Sequence, residues 1–388
     1  MNKVKVYHFH NGGGGGVLSV IRNLFRFANT VSIENHIIYT INKDQTPIYS
    51  VEHIAGAVTE KVFYYSPKWN FYYTCRQLAK LLPDDKALVV AHDWLELGMM
   101  SNLGLQNPVV QVLHGDYDYY YELAKKHSDA VDAFICISPQ IFRVLKFRLS
   151  ERQNDIFYFR FPVPSVKTVK KVKDSLHLIY CVRDLKDYRK QFSTILEIAE
   201  KIGYATCNYF FTIAGGGMTT KEFFELWPAV MINKVCFKGL LTNDEIIAIL
   251  PLQDIFLLPS LVEGLPVSLV EAMKAGAVPL VTNWDGAVDE LITPGISGYY
   301  FKIGASADYA TCIKNLNDDR KLLSQLSTKC VERANQLFDP VNNTKDFENL
   351  YQKISKKEVV QKRRAKVYGS RLDHPAIPNF ITSLIRKK

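Results

Sequence analysis

Residues 257–276 read Leu-Leu-Pro-Ser-Leu-Val-Glu-Gly-Leu-Pro-Val-Ser-Leu-Val-Glu-Ala-Met-Lys-Ala-Gly and set a strand, a tight loop and a helix in immediate succession. The run at 255–258 is wholly apolar, the composition of a parallel strand covered on both faces. Pro266 suits a first helical turn, where its missing N–H has no partner to lose. Leu265, Leu269 and Met273 recur at a helical interval, with Ala272 beside them. The pattern predicts Glu263 just before a helix N-terminus and Glu271 about two turns inside it. At roughly 1.5 Å per residue, the two carboxylates stand about 12 Å apart along the axis. Between them lie the free amides and positive end of the helix, a seat for phosphate. A nucleotide-sugar has that layout: sugar hydroxyls, a diphosphate, then a ribose. The spacing equally suits an acidic turn that complements the helix dipole and one solvated glutamate.

The rest of the chain alternates strand and helix. Strands are expected at 3–9, 36–41, 61–65, 87–91, 109–113 and 134–137, with helices at 17–29, 71–82 and 139–149 among them. Prolines and lysines at 161–173 read as a linker, because the prolines break the pattern and the lysines resist burial. A second series opens with a strand at 176–182, then strands ending at Gly215 and Gly239. Thr242 and Glu245 form a capping box for a helix at 242–250. The chain of 388 residues is too long for one comfortable core. Such alternation builds doubly wound parallel sheets, whose ligands gather at the C-terminal ends of strands.

Five glycines, Gly12–Gly16, separate the first strand from the first helix. Such a loop lets backbone approach a ligand at the positive end of a helix. It is neither a dinucleotide fingerprint nor a P-loop: Val17 and Leu18 stand where the third glycine belongs, and no Gly-Lys-Ser/Thr follows. That removes the dehydrogenase reading. Two histidines, His92 and His114, fall at expected strand ends. Asp116 and Asp118 make an Asp-x-Asp triplet, whose hard oxygens suit a divalent cation but which also arises by chance. Tyr117, Tyr119, Tyr120 and Tyr121 crowd the same stretch. Phe63, Tyr64, Tyr65, Trp69, Phe71, Tyr72 and Tyr73 form a second aromatic group, suited to sugar stacking, a lipid interface or plain core.

The signature Pro-Ser-x-x-Glu-Gly-x-Pro-x-x-x-x-Glu-Ala-Met-x-Ala-Gly resembles that of retaining glycosyltransferases of the GT-B fold, family 4 type. The following Val278-Pro279-Leu280-Val281-Thr282, Gly286, Glu290, Gly295 and Gly298 continue the match. The resemblance implies an α/β, GT-B architecture of two Rossmann-like doubly wound domains facing across a cleft. The expected division is an acceptor-side domain at 1–165, a nucleotide-sugar domain at 174–345, and a returning helix with a basic tail at 346–388. It implies that Glu263 contacts the donor sugar and Glu271 the ribose. Arg183 and Lys190, at a strand end and a helix start, grip the diphosphate, and His114 lies beside the reacting sugar. Gly14, Gly15, Gly16, Gly215, Gly264, Leu265 and Pro266 complete the donor-binding set. His92 is a weaker candidate. Gln191 departs from the pattern, in which glycine follows the lysine, and leaves Arg189 as an alternative to Lys190. The resemblance calls for no cofactor and no metal, with a UDP-sugar the favoured donor.

From Lys353 to the end, basic residues exceed acidic ones by nine, equal to the net charge of the whole chain. Ile377, Phe380, Ile381, Leu384 and Ile385 add helical apolar spacing. A basic amphipathic end suits an anionic membrane surface, and no nucleic-acid motif accompanies it. The seven cysteines form no Cys-x-x-Cys pair, and the start has no signal-peptide layout. No run of eighteen apolar residues occurs, so no spanning helix is expected. These features suggest a cytoplasmic enzyme, peripheral on the inner membrane face. It would pass a sugar to a glycan or lipid-linked acceptor in surface polysaccharide synthesis. The alternatives are a catalytically silent scaffold of the same fold and a sugar-nucleotide epimerase.

Overall fold

A computed structural model describes residues 3–45, 51–83, 86–168, 175–204, 208–284, 288–356 and 369–386. The chain divides into two compact units. The first comprises 1–13, 17–162 and 341–388, and the second 14–16 and 163–340.

In the first unit the order is β1 (Val4–His10), α1 (Gly16–Arg26), β2 (Ile33–Asn42), β3 (Thr59–Tyr65), α2 (Phe71–Ala79), β4 (Leu88–Ala91) and α3 (Trp94–Leu103). There follow β5 (Val109–Leu113), α4 (Asp118–Lys126), β6 (Ala133–Cys136), α5 (Pro139–Arg148) and β7 (Ile156–Tyr158). The strands pair in parallel in the order β3-β2-β1-β4-β5-β6-β7. Every residue of β4, β5 and β6 is buried, which explains their unbroken apolar character. The short β7, of which Ile156 alone is buried, escaped the sequence pattern.

The second unit contains β8 (Leu176–Asp184), α6 (Phe192–Gly203), β9 (Tyr209–Gly216), α7 (Thr220–Leu226), β10 (Val235–Gly239) and α8 (Asn243–Ile249). It continues with β11 (Ile255–Leu258), α9 (Val267–Lys274), β12 (Val278–Thr282), β13 (Tyr299–Phe301), α10 (Ser306–Asp318) and α11 (Arg320–Leu337). Its sheet runs β10-β9-β8-β11-β12-β13, again parallel. The capping box of Thr242 and Glu245 opens α8 as expected. Both sheets reverse direction between their first and fourth strands, and such a switch point opens a crevice at the strand ends.

The chain returns to the first unit through α12 (Pro340–Ser355) and α13 (Asn379–Ile385). The returning segment is fastened to the loop before α2. Asn70 Nδ2 donates to the carbonyls of Leu372 (2.9 Å) and Ile377 (3.1 Å), while its Oδ1 caps α2 by accepting from Tyr73 N. Phe71 N donates to Asp373 Oδ1, and Arg386 donates to the Trp69 carbonyl and to Asp373. α13 bears four of the five apolar residues expected in helical phase, Ile377 lying before it, and turns them outward: Phe380 is 66% exposed and Leu384 61%. Lys357, Lys362, Arg363, Arg364, Lys366, Lys387 and Lys388 lie outside the described residues, as do Gly286 and residues 169–173 of the lysine-rich linker.

Candidate functional site

The second unit gathers its polar groups where β8 and β11 diverge. Arg183 is exposed near the C-terminal end of β8. After it, a single 3-10 turn at Tyr188–Lys190 carries Lys190, whose carbonyl accepts from the buried Tyr180 hydroxyl at 2.9 Å. β11 ends in the loop that carries Glu263. Lys190 Nζ lies 2.6 Å from Glu263 Oε1, so residues 73 apart in sequence form an ion pair at the crevice. Arg189 is committed elsewhere: its guanidinium grips both oxygens of Asp187 at 2.7 and 2.9 Å. That pairing holds the Asp187 carboxyl below its usual range. Lys190, and not Arg189, is thus the side chain paired with Glu263.

Gln191 has φ 55° and ψ 50°, the one non-glycine residue with positive φ among the described residues. The left-handed conformation explains why a glycine belongs in this place and why glutamine departs from the pattern.

α9 begins at Val267, with Pro266 as its cap (φ −71°, ψ 125°) and not inside its first turn. Glu271 consequently sits one turn into the helix, not two, because the loop after Glu263 takes up more residues than the spacing suggested. Glu271 is buried, and its Oε1 accepts from Asn243 Nδ2 at 3.1 Å. Gly264 and Leu265 are buried and Pro266 is half-buried. Gly215 is buried as well. A Cβ there would come 2.8 Å from Leu185 Cγ and 3.0 Å from the Val182 carbonyl, so its smallness serves strand packing. Gly14, Gly15 and Gly16 are exposed and grouped with this second unit. Gly12, Gly13 and Gly15 all take positive φ, which accounts for much of the glycine run.

In the first unit the switch point is lined by histidine. His92 follows β4 and His114 follows β5, as expected. His92 Nδ1 lies 2.7 Å from His114 Nε2, and His92 Nε2 lies 3.1 Å from His8 Nδ1 on β1. Burial, aided by neighbouring histidines, pushes His8 and His114 down to about 3 and His92 well below its ordinary value. These rings are neutral at physiological pH. Asp93 and Glu96 close a capping box on α3, and Glu96 accepts from the amides of His92 (2.7 Å) and Asp93 (2.6 Å). Burial and the Asp93 charge raise the Glu96 carboxyl to about 8. Sequence reasoning missed His8. Its signal was a polar ring inside an otherwise buried central strand.

Asp116 accepts from the Tyr121 hydroxyl, and Asp118 pairs with Arg148 at 2.6 Å. The two aspartates of the Asp-x-Asp triplet thus take separate protein partners. Tyr65 and Phe71 both pack on Trp94, and Trp69 packs on Tyr73. Several of these rings line a cavity of about 340 Å³ with Lys126 and the returning segment.

Two parallel sheets of this order are the Rossmann-like units from which the GT-B fold is built. Residues 166–336, nearly all of the second unit, match the family model described as Glycosyl transferases group 1. The resemblance drawn from residues 257–298 is borne out there. One relative is the N,N'-diacetylbacillosaminyl-diphospho-undecaprenol alpha-1,3-N-acetylgalactosaminyltransferase of Campylobacter jejuni. It is 32% identical over 114 residues, which are 29% of this chain and 30% of the relative. Another is the UDP-Gal:alpha-D-GlcNAc-diphosphoundecaprenol alpha-1,3-galactosyltransferase of Escherichia coli, 28% identical over 28% of each chain. The matched stretches thus span about three tenths of these curated relatives. Among solved structures, HepE of Anabaena in complex with UDP and glucose superposes with a TM-score of 0.72. That match has 14% identity and covers 90% of this chain and 100% of HepE. The expected two-domain Rossmann-like fold is shown.

Proposed function

We propose that the protein is a retaining glycosyltransferase that moves a sugar from a UDP-sugar to a lipid-linked acceptor without a metal ion. The observation that carries this reading is the Lys190–Glu263 pair at the β8/β11 switch point, with Arg183 exposed near the end of β8. Arg183 and Lys190 offset the charge of the diphosphate, including the charge that grows as the sugar leaves. The exposed backbone of Gly14–Gly16 and the amides of Gly264 and Leu265, just before α9, add N–H groups to the same anion. An arriving diphosphate draws Lys190 from Glu263 and frees that carboxylate to accept from sugar hydroxyls. Glu271 accepts from the ribose, and His114 meets the transferring sugar. Excluding water around these groups limits hydrolysis of the donor.

The names of the two bacterial relatives specify diphospho-undecaprenol acceptors, and HepE is a complex with UDP. Both support the substrate classes proposed here; we place the step in surface polysaccharide synthesis at the cytoplasmic face. Among the described residues, no helix is long and apolar enough to cross a membrane. α13 supplies another route to the lipid: Phe380, Leu384 and Ile385 are more than half exposed beside the basic chain end. Nucleotide release from a panel of UDP-, GDP- and ADP-sugars, with EDTA present, tests the reaction. Release that survives EDTA and collapses in Glu263→Gln supports the proposal. Loss of release with EDTA returns Asp116 and Asp118 to consideration as metal ligands. Co-flotation with anionic vesicles tests the membrane step, and Phe380→Ser with Leu384→Ser should abolish it.

A further inference from the structure

Three histidines from the ends of three strands form a single hydrogen-bonded chain, His8–His92–His114, although 84 and 22 residues separate the partners. The two ends of the chain differ. His8 Nε2 is buried and has no hydrogen-bond partner, and the ring sits between the rings of Phe25 and Tyr351. His114, at the other end, is half-buried at the mouth of the crevice.

A neutral imidazole carries one N–H and one bare nitrogen, so a single choice sets all three rings. If His8 Nδ1 donates to His92 Nε2, then His92 Nδ1 must donate to His114 Nε2. His114 then holds its own proton on Nδ1. The opposite polarity leaves an N–H on His8 Nε2, buried with nothing to accept it. Orphaned buried N–H groups are rarer than under-used acceptors, which favours the first arrangement. Burial of His8 and His92 and the desolvation of His114 keep all three rings uncharged, so the chain is not protonated.

We infer that His8 and His92 are positioning residues that fix His114 in the Nδ1–H tautomer, so that the crevice presents a hydrogen-bond donor to a substrate oxygen. A neutral histidine free in water prefers the other tautomer, so the chain imposes a state that His114 would not choose alone. His92 keeps both nitrogens occupied and has none left for a substrate. This assignment builds on the reading that His114 meets the transferring sugar.

The test is a long-range proton–nitrogen correlation spectrum of the full chain labelled with ¹⁵N-histidine at pH 8, with His114 assigned by His114→Gln. The expected result is a protonated Nδ1 and a bare Nε2 on His114. His8→Asp and His8→Asn have nearly the same shape but opposite consequences. The carboxylate can only accept, so it reverses the chain and moves the His114 proton to Nε2, whereas the amide can donate and preserves it. Turnover should fall about tenfold in His8→Asp, the scale of one lost hydrogen bond, with donor KM nearly unchanged and His8→Asn near wild type. A wild-type His114 protonated on Nε2, or one tautomer in both variants, overturns the inference. Should a variant fail to fold, the wild-type spectrum decides. A chain with the expected tautomers but no turnover of any nucleotide-sugar would leave the tautomer assignment standing and defeat the proposed function.

Discussion

The two sheets share a strand order, yet their switch points carry opposite chemistry. Between β8 and β11 the groups are ionic and partly open: the Lys190 side chain is 27% exposed and that of Glu263 11%. At β1, β4 and β5 the groups are imidazoles that burial has stripped of charge. Topology decides where a crevice opens, and the residues at the strand ends decide what it can hold. A charged crevice can answer a diphosphate. A neutral one offers directed hydrogen bonds without attracting or repelling a charged ligand.

The comparison breaks most readily through turnover. Glu263→Gln or Lys190→Ala should lower kcat/KM for the donor by about 10²–10³, the scale of one electrostatic contact in a crevice. His114→Ala should lose about tenfold, near the scale of one neutral hydrogen bond. Equal losses on both sides, measured by nucleotide release, would erase the distinction between an ionic and a neutral switch point.

Buried charge itself sharpens the contrast. Lys274, only 1% exposed, donates to the carbonyls of Val163 (2.6 Å) and Phe338 (2.8 Å), close to both points where the chain changes unit. Burial lowers its ammonium to about 8. Lys274→Met removes both donations and should cost about 2 kcal/mol, read from urea unfolding at pH 7. An unchanged midpoint would show that the ammonium contributes no net stability.

The histidine chain predicts a dependence on acid. Its folded-state pKa values lie below the unfolded value of 6.5, so below pH 6.5 the unfolded chain binds more protons. Stability contributed by the neutral rings is therefore full above pH 6.5 and is lost as pH falls toward about 3. Glu96 acts in the other direction between pH 4.5 and about 8, but it is common to wild type and variant and cancels in their difference. Thermal unfolding of wild type should lose stability more steeply than His8→Phe between pH 6.5 and 4. Parallel curves would mean that His8 is charged in the folded protein.

The smallest effect concerns the turn that presents Lys190. Gln191→Gly relieves a left-handed glutamine and should stabilise the protein by about 0.5–1 kcal/mol, after allowing for the freer unfolded glycine. A loss of stability would show that the Gln191 Nε2 bond to the Tyr188 carbonyl, 2.7 Å long, outweighs the strain.

Much of the second unit was legible in order along the chain. An apolar run, a Glu-Gly loop and a proline at the helix start are local signals, and β11 and α9 appear where they place them. The same holds for Thr242 and Glu245, for the strand that carries Arg183 and, in the first unit, for β5 ahead of His114. Local signals failed at boundaries: Pro266 became a cap, and Glu271 moved one turn nearer the helix start. The basic, amphipathic end of the chain was legible as composition. Its fastening to Asn70 and Phe71 was not, because those contacts join residues some 300 positions apart.

The sequence by itself determined the fold class, the two sheets and the residues at their strand ends, since periodicity and turn chemistry act over a few residues. Only the tertiary structure paired Lys190 with Glu263 and linked His8 to His92 and His114. Those partnerships follow from which strands become neighbours at a switch point. Parallel crossovers bring together residues that no local pattern connects.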